Sequence, residues 1–324
     1  MTVTIALLGL NRLSASLGLA LRPREGLKLV GFDRDNDVAR VAQSRGLVHT
    51  AEWNLISAVG NADLVLLAGR LEDQREWLKA MGAELREEAV VVTLAPVLNA
   101  PLAWAAEFLP ARRHFIAAHP ILNPAVLFDG SAGLDAARAD LFEKGLFALA
   151  PAPNCAPEAL KLLSDLAALL NAQPYFVDPA EHDGVTAGVE AVPTLLAAAL
   201  LQAATASPGW GELRKAADRS FANASLALTD ADPSVLILNR ENTLRYLDAA
   251  LAHLQALREH VAQDNASLLS QLLTDANERR ARWLAERMKG EWDAPAKSNM
   301  ELPSFGETLG RMLTGGLFKR KSEK

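Results

Sequence analysis

The residues able to do chemistry gather at the ends of apolar runs. Gly9, Asn11, Leu13 and Ser14 follow the run Val3, Thr4, Ile5, Ala6, Leu7 and Leu8. A buried strand, a tight turn at a glycine and the start of a helix leave backbone N–H groups free to hold a pyrophosphate. The usual spacing for that task is G-x-G-x-x-G; here it reads Gly9-x-Asn11-x-x-Ser14, with only the first glycine kept. Asp33 closes a second apolar run roughly 20 residues past the turn, where a carboxylate accepts hydrogen bonds from the adenosine ribose of a dinucleotide. Its charge repels a 2′-phosphate and favours NAD, whereas Arg34 beside it could swing toward such a phosphate, so NADP stays open. Gly69 ends a third run.

His119 follows an apolar run at 115–118, with Pro120 to fix its turn. A neutral imidazole with an ordinary pKa of about 6.5 can take a proton near pH 7, so His119 is a candidate general base; a satisfied structural histidine is the alternative. Glu190 sits in an otherwise apolar helical stretch, where it either occupies an interface or contacts a cationic or hydroxylated substrate. His182 and Asp183, after Asp178 and Glu181, look like a metal cluster on paper. Acidic residues opening a helix are expected from its macrodipole, so no metal is predicted. His49, His114, His253 and His260 stand singly and call for no function.

These positions require a scaffold. Strand patterns at 3–8, 27–32, 62–68, 89–94 and 115–118 alternate with helical patterns at 14–21, 37–45, 71–85 and 101–109. Alternation of this kind means right-handed crossovers and a parallel-type sheet, with ligands at the carboxyl ends of the strands. Strand, helix and strand again occupy 146–177, and Asp178 and Pro179 break the pattern. Long helical patterns then take over at 182–205, 241–260 and 266–287. The fold class is therefore an α/β Rossmann-type domain over 1–178 followed by an all-α domain over 179–290. Residues 291–324 read as a linker and a basic amphipathic tail.

Composition narrows the function classes. Half of the 324 residues are hydrophobic and the net charge is −6, which gives no general attraction for nucleic acid. The single cysteine, Cys155, rules out an internal disulfide and a cysteine metal cluster and agrees with a reducing compartment. The stretch 192–204 is short and alanine-rich for a bilayer span, and the first residues lack a signal peptide's basic flank, so a cytoplasmic protein without a membrane span is expected. Residues 185–201 are apolar nearly all round, which predicts a homodimer through the helical domain.

In their order and spacing these segments resemble the prephenate and arogenate dehydrogenase family, from Thr4 to about Arg287. The resemblance is carried by Gly9-Leu10-Asn11-Arg12-Leu13-Ser14-Ala15-Ser16-Leu17, Gly31-Phe32-Asp33-Arg34-Asp35, Ala62-Asp63-Leu64-Val65-Leu66-Leu67-Ala68, Ala118-His119-Pro120, His182-Asp183 and Asn239-Arg240-Glu241-Asn242. It implies a domain arrangement like that of 6-phosphogluconate dehydrogenase and a role in tyrosine biosynthesis. The implied reaction is an NAD(P)-dependent oxidative decarboxylation of a small molecule, prephenate or arogenate, in which His119 is the base. Glu190, Thr194 and Arg240 then become candidates on the substrate side. Three positions depart from the family: Pro96 and Val97 stand where a serine is usual, Ala191-Val192-Pro193-Thr194 replaces a His-x-Pro-His segment, and no arginine is in register near 225–227. Arg214, Arg219 or Arg240 would have to supply the missing carboxylate clamp. A retasked or non-catalytic relative, or a dehydrogenase of another hydroxy acid, is the alternative.

Overall fold

The computed structural model describes residues 2–290 and divides them into two compact units. The first comprises the chain up to Asn123 together with Ser131–His182; the second takes Pro124–Gly130 and the residues from Asp183 on. The linker and tail expected at 291–324 lie outside the described residues.

The first unit is built on an eight-stranded sheet ordered β3-β2-β1-β4-β5-β6-β7-β8. Its strands are β1 (Val3–Leu8), β2 (Leu27–Phe32), β3 (Thr50–Ala51), β4 (Leu64–Leu67), β5 (Val90–Leu94), β6 (His114–Ile121), β7 (Leu146–Pro151) and β8 (Gln173–Phe176). The helices α1 (Arg12–Leu21), α2 (Asn36–Ser44), α3 (Leu55–Val59), α4 (Leu71–Met81), α5 (Asn99–Phe108) and α6 (Pro157–Leu169) connect them. Every residue of β4 and β5 is buried, because helices cover both faces of a parallel sheet. Val and Leu runs without polar alternation are the sequence form of that burial. On one face Phe32 meets Trp77 of α4 edge-on, with ring centroids 6.0 Å apart, in a core that includes Val65, Leu78 and Phe115.

Two features add to the alternation expected for a parallel-type sheet. β7 runs antiparallel to β6, with Ile116 opposite Pro151 and Ile121 opposite Leu146. The connection between these strands carries no full helix, only short 3-10 turns at Pro124–Val126 and Leu134–Ala136, so the chain can reverse beside β6 instead of crossing over. β3 and α3 are too short to register as a periodic pattern.

The second unit is helical: α7 (Pro179–Thr186), α8 (Val192–Thr205), α9 (Trp210–Ala216), α10 (Arg219–Ser225), α11 (Pro233–Leu238), α12 (Arg240–Ala262) and α13 (Ala266–Lys289). The first residues of α7 belong to the first unit. A π turn at Ala187–Ala191 joins α7 to α8. Pro193 explains it: a proline cannot donate to the carbonyl four residues back and its ring crowds that position, so the register shifts by one residue. The stretch Pro179–Thr205 is consequently 27 residues long and, by length and composition, could cross a bilayer, where the sequence pattern suggested a shorter apolar core. Along α12 the periodic Leu244, Leu251 and Leu254 are exposed, as are Val185, Val189, Leu196 and Leu200 along 185–200. Among the described residues nothing covers these helical apolar faces.

Candidate functional site

The sheet order reverses between β1 and β4, which are neighbours although β2 and β3 intervene in sequence. A crevice opens beyond the carboxyl ends of strands at such a switch point. Gly9 and Gly69 flank it. Gly9 has φ of 81°, and a Cβ there would stand 2.4 Å from the backbone nitrogen of Gly69. A Cβ on Gly69 would stand 2.4 Å from the Trp77 ring. Both glycines are therefore required by packing, and together they let a ligand approach the backbone closely.

The turn fits a pyrophosphate, with one complication. Asn11 caps α1: its Oδ1 accepts from the backbone N–H of Leu13 at 2.9 Å and of Ser14 at 3.1 Å. Its Nδ2 donates to the Ala68 carbonyl at 2.5 Å. The Ser14 hydroxyl completes a capping box, accepting from the Asn11 N–H at 3.0 Å and donating to the Gly9 carbonyl at 2.7 Å. Asn11 thus engages two of the amides a pyrophosphate would use. A phosphate oxygen forms charge-assisted bonds stronger than those of a neutral carboxamide, so a pyrophosphate bound there would displace the cap at a modest energetic cost.

Asp33 accepts the Leu10 N–H on Oδ2 at 2.7 Å and the Asp35 N–H on Oδ1 at 2.9 Å. Each oxygen keeps a lone pair for a ribose hydroxyl. Arg34 turns to α4: its Nη1 lies 2.8 Å from the Asp73 carboxylate and its Nη2 pairs with Glu76. That double engagement holds the guanidinium against two carboxylates rather than free for a 2′-phosphate. Behind Gly69, the buried Gln74 donates to the Gly69 carbonyl at 2.7 Å and accepts from the Thr93 hydroxyl. Sequence reasoning passed over this prop, although a glutamine on the inward face of an amphipathic helix was its signal.

His119 lies within β6 and not past its end. The sequence pattern suggested a strand stopping at Ala118 and a His-Pro turn; the antiparallel partner β7 instead holds the chain extended through Ile121, with His119 opposite Ala148. The His119 Nδ1 is 3.1 Å from Nε2 of His182, and the rings meet edge to face with centroids 5.2 Å apart. Burial, and secondarily the His182 ring, push the His119 imidazole down to about 3. It is neutral at physiological pH. His182, read from sequence as a helix-opening residue, is buried at the start of α7. No local signal pairs it with His119, because the two are 63 residues apart. Among the described residues no cluster of three metal-ligating side chains forms.

Glu190, Thr194 and Arg240 belong to the second unit. Glu190 lies in the π turn, where protein crowds round a carboxyl that still reaches water; this desolvation pushes it up to about 7. The Thr194 hydroxyl lies 2.9 Å from the Glu190 carbonyl and 3.1 Å from that of Ala227, so it is engaged by backbone. Arg240 is exposed in the first turn of α12. The departing positions are equally plain: Val97 is fully buried and the Ser225 hydroxyl donates to the Phe221 carbonyl at 2.9 Å. An arginine does reach the 225–227 region, from a distant element. Arg280 of α13 stacks 5.7 Å above the Phe128 ring and lines an open groove of about 590 Å³ with Asn223, Leu226 and Ala227. Cys155 is chemically quiet, since burial pushes its thiol up to about 11.

The pattern described as "Prephenate dehydrogenase, nucleotide-binding domain" matches residues 17–176, and that described as "Prephenate dehydrogenase, dimerization domain" matches residues 178–275. A prephenate dehydrogenase of Bacillus subtilis (strain 168) is 24% identical over 283 residues, spanning 86% of this chain and 75% of that protein. The crystal structure of Synechocystis arogenate dehydrogenase is 25% identical, with a TM-score of 0.65, covering 87% of this chain and 100% of the other. A prephenate dehydrogenase from A. aeolicus, solved in complex with hydroxyphenyl propionate and NAD+, shares the fold with a TM-score of 0.75 at 19% identity, covering 87% of this chain and 98% of that one.

Proposed function

The chain belongs to the prephenate dehydrogenase family, and from that premise we propose that it is an NAD-dependent dehydrogenase of tyrosine biosynthesis, acting on prephenate or arogenate. The observation that carries the reading is a neutral imidazole at the carboxyl end of the sheet that also bears the dinucleotide crevice. Gly9, Leu13, Ser14 and Gly69 would seat the pyrophosphate, with Asn11 displaced, and Asp33 would hold the ribose. Bound NAD supplies the hydride acceptor. His119 takes the hydroxyl proton as the carbonyl forms and the ring carboxylate departs as carbon dioxide. A substrate carboxylate near the ring raises its affinity for that proton, since an opposite charge favours the imidazolium.

Engagement of Arg34 by Asp73 and Glu76 favours NAD over NADP. In place of the family's arginine near 225–227, Arg280 is the candidate to meet a substrate carboxylate in its groove. Glu190 is the candidate to meet a cationic or hydroxylated part of the substrate, which suits the amino group of arogenate. The match to a dimerization domain and the exposed apolar faces of α8 and α12 support a homodimer. A bilayer is the poorer cover for 179–205, because Glu181, Asp183 and Glu190 would enter hydrocarbon. We place the protein in the cytoplasm on the same grounds.

The test is direct. Purified protein with NAD should form NADH from prephenate or arogenate, and His119→Asn should abolish turnover while leaving the dissociation constant for NAD unchanged. The buried Val97 and the backbone-engaged Thr194 favour a second reading, a relative that keeps the nucleotide and acts on another hydroxy acid. Binding of NAD without NADH from either substrate would decide for it.

A further inference from the structure

The geometry points to His182 as the residue that fixes the tautomer of His119, so that Nε2 of His119 carries a lone pair toward the substrate. The proposal rests on the reading of His119 as the base and adds to it the partner that makes the base usable.

One hydrogen must lie between His119 Nδ1 and His182 Nε2, which are 3.1 Å apart. At neutral pH His119 carries a single ring proton, since burial keeps it uncharged. Two arrangements follow. If His182 donates, the proton of His119 resides on Nε2, and the ring presents an N–H to the substrate hydroxyl; it cannot then accept a proton there. If His119 donates from Nδ1, His182 accepts on Nε2 and the opposite nitrogen of His119 keeps its lone pair.

His119 Nε2 is bonded to no described residue, and His119 is only half-buried, so this nitrogen is the one open to a ligand. Only the second arrangement allows it to accept a proton. When the O–H bond of the substrate breaks and a new N–H bond forms on Nε2, the ring becomes an imidazolium with its Nδ1 proton still shared with His182. That bond is then charge-assisted and stronger than in the resting state, which stabilises the charge as it develops. His182 acts through His119 and does not touch the reacting atoms.

Both partners are placed by backbone. β7 holds His119 in extended conformation, and α7 presents His182 from its first turn, where the His182 N–H donates to the Asp178 carbonyl at 2.9 Å. The edge-to-face approach of the rings, at 73°, aims the edge of one imidazole at its partner rather than stacking the two.

The experiment uses the full-length protein labelled with ¹⁵N in its histidines, of which there are six, few enough to assign by single substitution. The ¹⁵N shifts of His119 report its tautomer directly. We expect the Nδ1–H tautomer in the unsubstituted protein. His182→Gln retains an acceptor and should keep both the tautomer and turnover within about threefold. His182→Leu removes the acceptor and should move His119 to the Nε2–H form, lowering kcat about 10- to 100-fold, part of the roughly 10²- to 10⁴-fold that a positioned base contributes. Its dissociation constant for NAD should not change. An Nε2–H tautomer in the unsubstituted protein, or a His182→Leu variant with unaltered tautomer or unaltered kcat, overturns the proposal. The two claims fail separately: turnover surviving in His119→Asn removes the base itself, whereas loss of turnover there with full turnover in His182→Leu removes only the role of His182. If His182→Leu does not fold, the tautomer of the unsubstituted protein and the His182→Gln variant decide the matter.

Discussion

Replacing Asn11 with glycine should move stability and nucleotide affinity in opposite directions. The side chain makes two bonds to the start of α1 and one to the Ala68 carbonyl. Glycine in place of a good N-cap costs a few tenths of a kcal/mol. Loss of the Ala68 bond adds about 1 kcal/mol. Asn11→Gly should thus be about 1–2 kcal/mol less stable without nucleotide, a fall of a few degrees in Tm for a chain of this size. The nucleotide no longer has to break the cap, so the same 1–2 kcal/mol returns as a dissociation constant roughly 5- to 30-fold lower. Calorimetric titration with NAD measures the affinity, and melting curves with and without saturating NAD measure the stability. Asn11→Asp is the control: it preserves the cap but sets a negative charge beside the pyrophosphate, and should weaken NAD binding by more than about tenfold. A folded Asn11→Gly protein whose affinity for NAD is unchanged or weaker would refute the assignment of the Leu13 and Ser14 amides to the pyrophosphate.

Freeing Arg34 tests cofactor choice. The double variant Asp73→Asn with Glu76→Gln should improve the NADP dissociation constant about tenfold while leaving that for NAD nearly unchanged, because a released guanidinium can pair with a 2′-phosphate; an unaltered preference for NAD would show that Asp33 alone sets it. Arg280→Ala should raise KM for a carboxylated substrate by about 10-fold or more, the effect of one charged hydrogen bond, with little change in NAD affinity; normal KM would place the carboxylate elsewhere. Glu190 supplies a pH signature. Its carboxyl is raised to about 7 in the folded protein, so between the ordinary glutamate value and about 7 the folded state binds more protons than the unfolded chain, and stability declines as pH rises through that window. Melting temperatures at pH 5 and pH 8 should fall further in the unsubstituted protein than in Glu190→Gln; equal slopes would mean that the carboxyl is as well hydrated as in the unfolded chain.

Much of this protein is written locally in its chain. Apolar runs that bury both faces announce β1, β2, β4 and β5, and a glycine or an acidic residue at their ends marks the crevice, because strand period and turn chemistry act over a few residues. The same locality identified Asn11 as a departure from the glycine pattern and Glu190 as an anomaly in an apolar helix. Local pattern said nothing about the direction of β7, which depends on how a connection with only short 3-10 turns returns to the sheet, and so it placed His119 in a turn rather than a strand. It could not associate Arg34 with Asp73 and Glu76, Arg280 with the 225–227 region, or His119 with His182, since each pair joins elements far apart in sequence. Residue types and their spacing determined where a nucleotide site and a base are to be sought. Tertiary packing decided the states they are in: which cation is already paired, which amides are capped, and which nitrogen of His119 faces a second imidazole, because charge, desolvation and hydrogen bonding are set by neighbours in space.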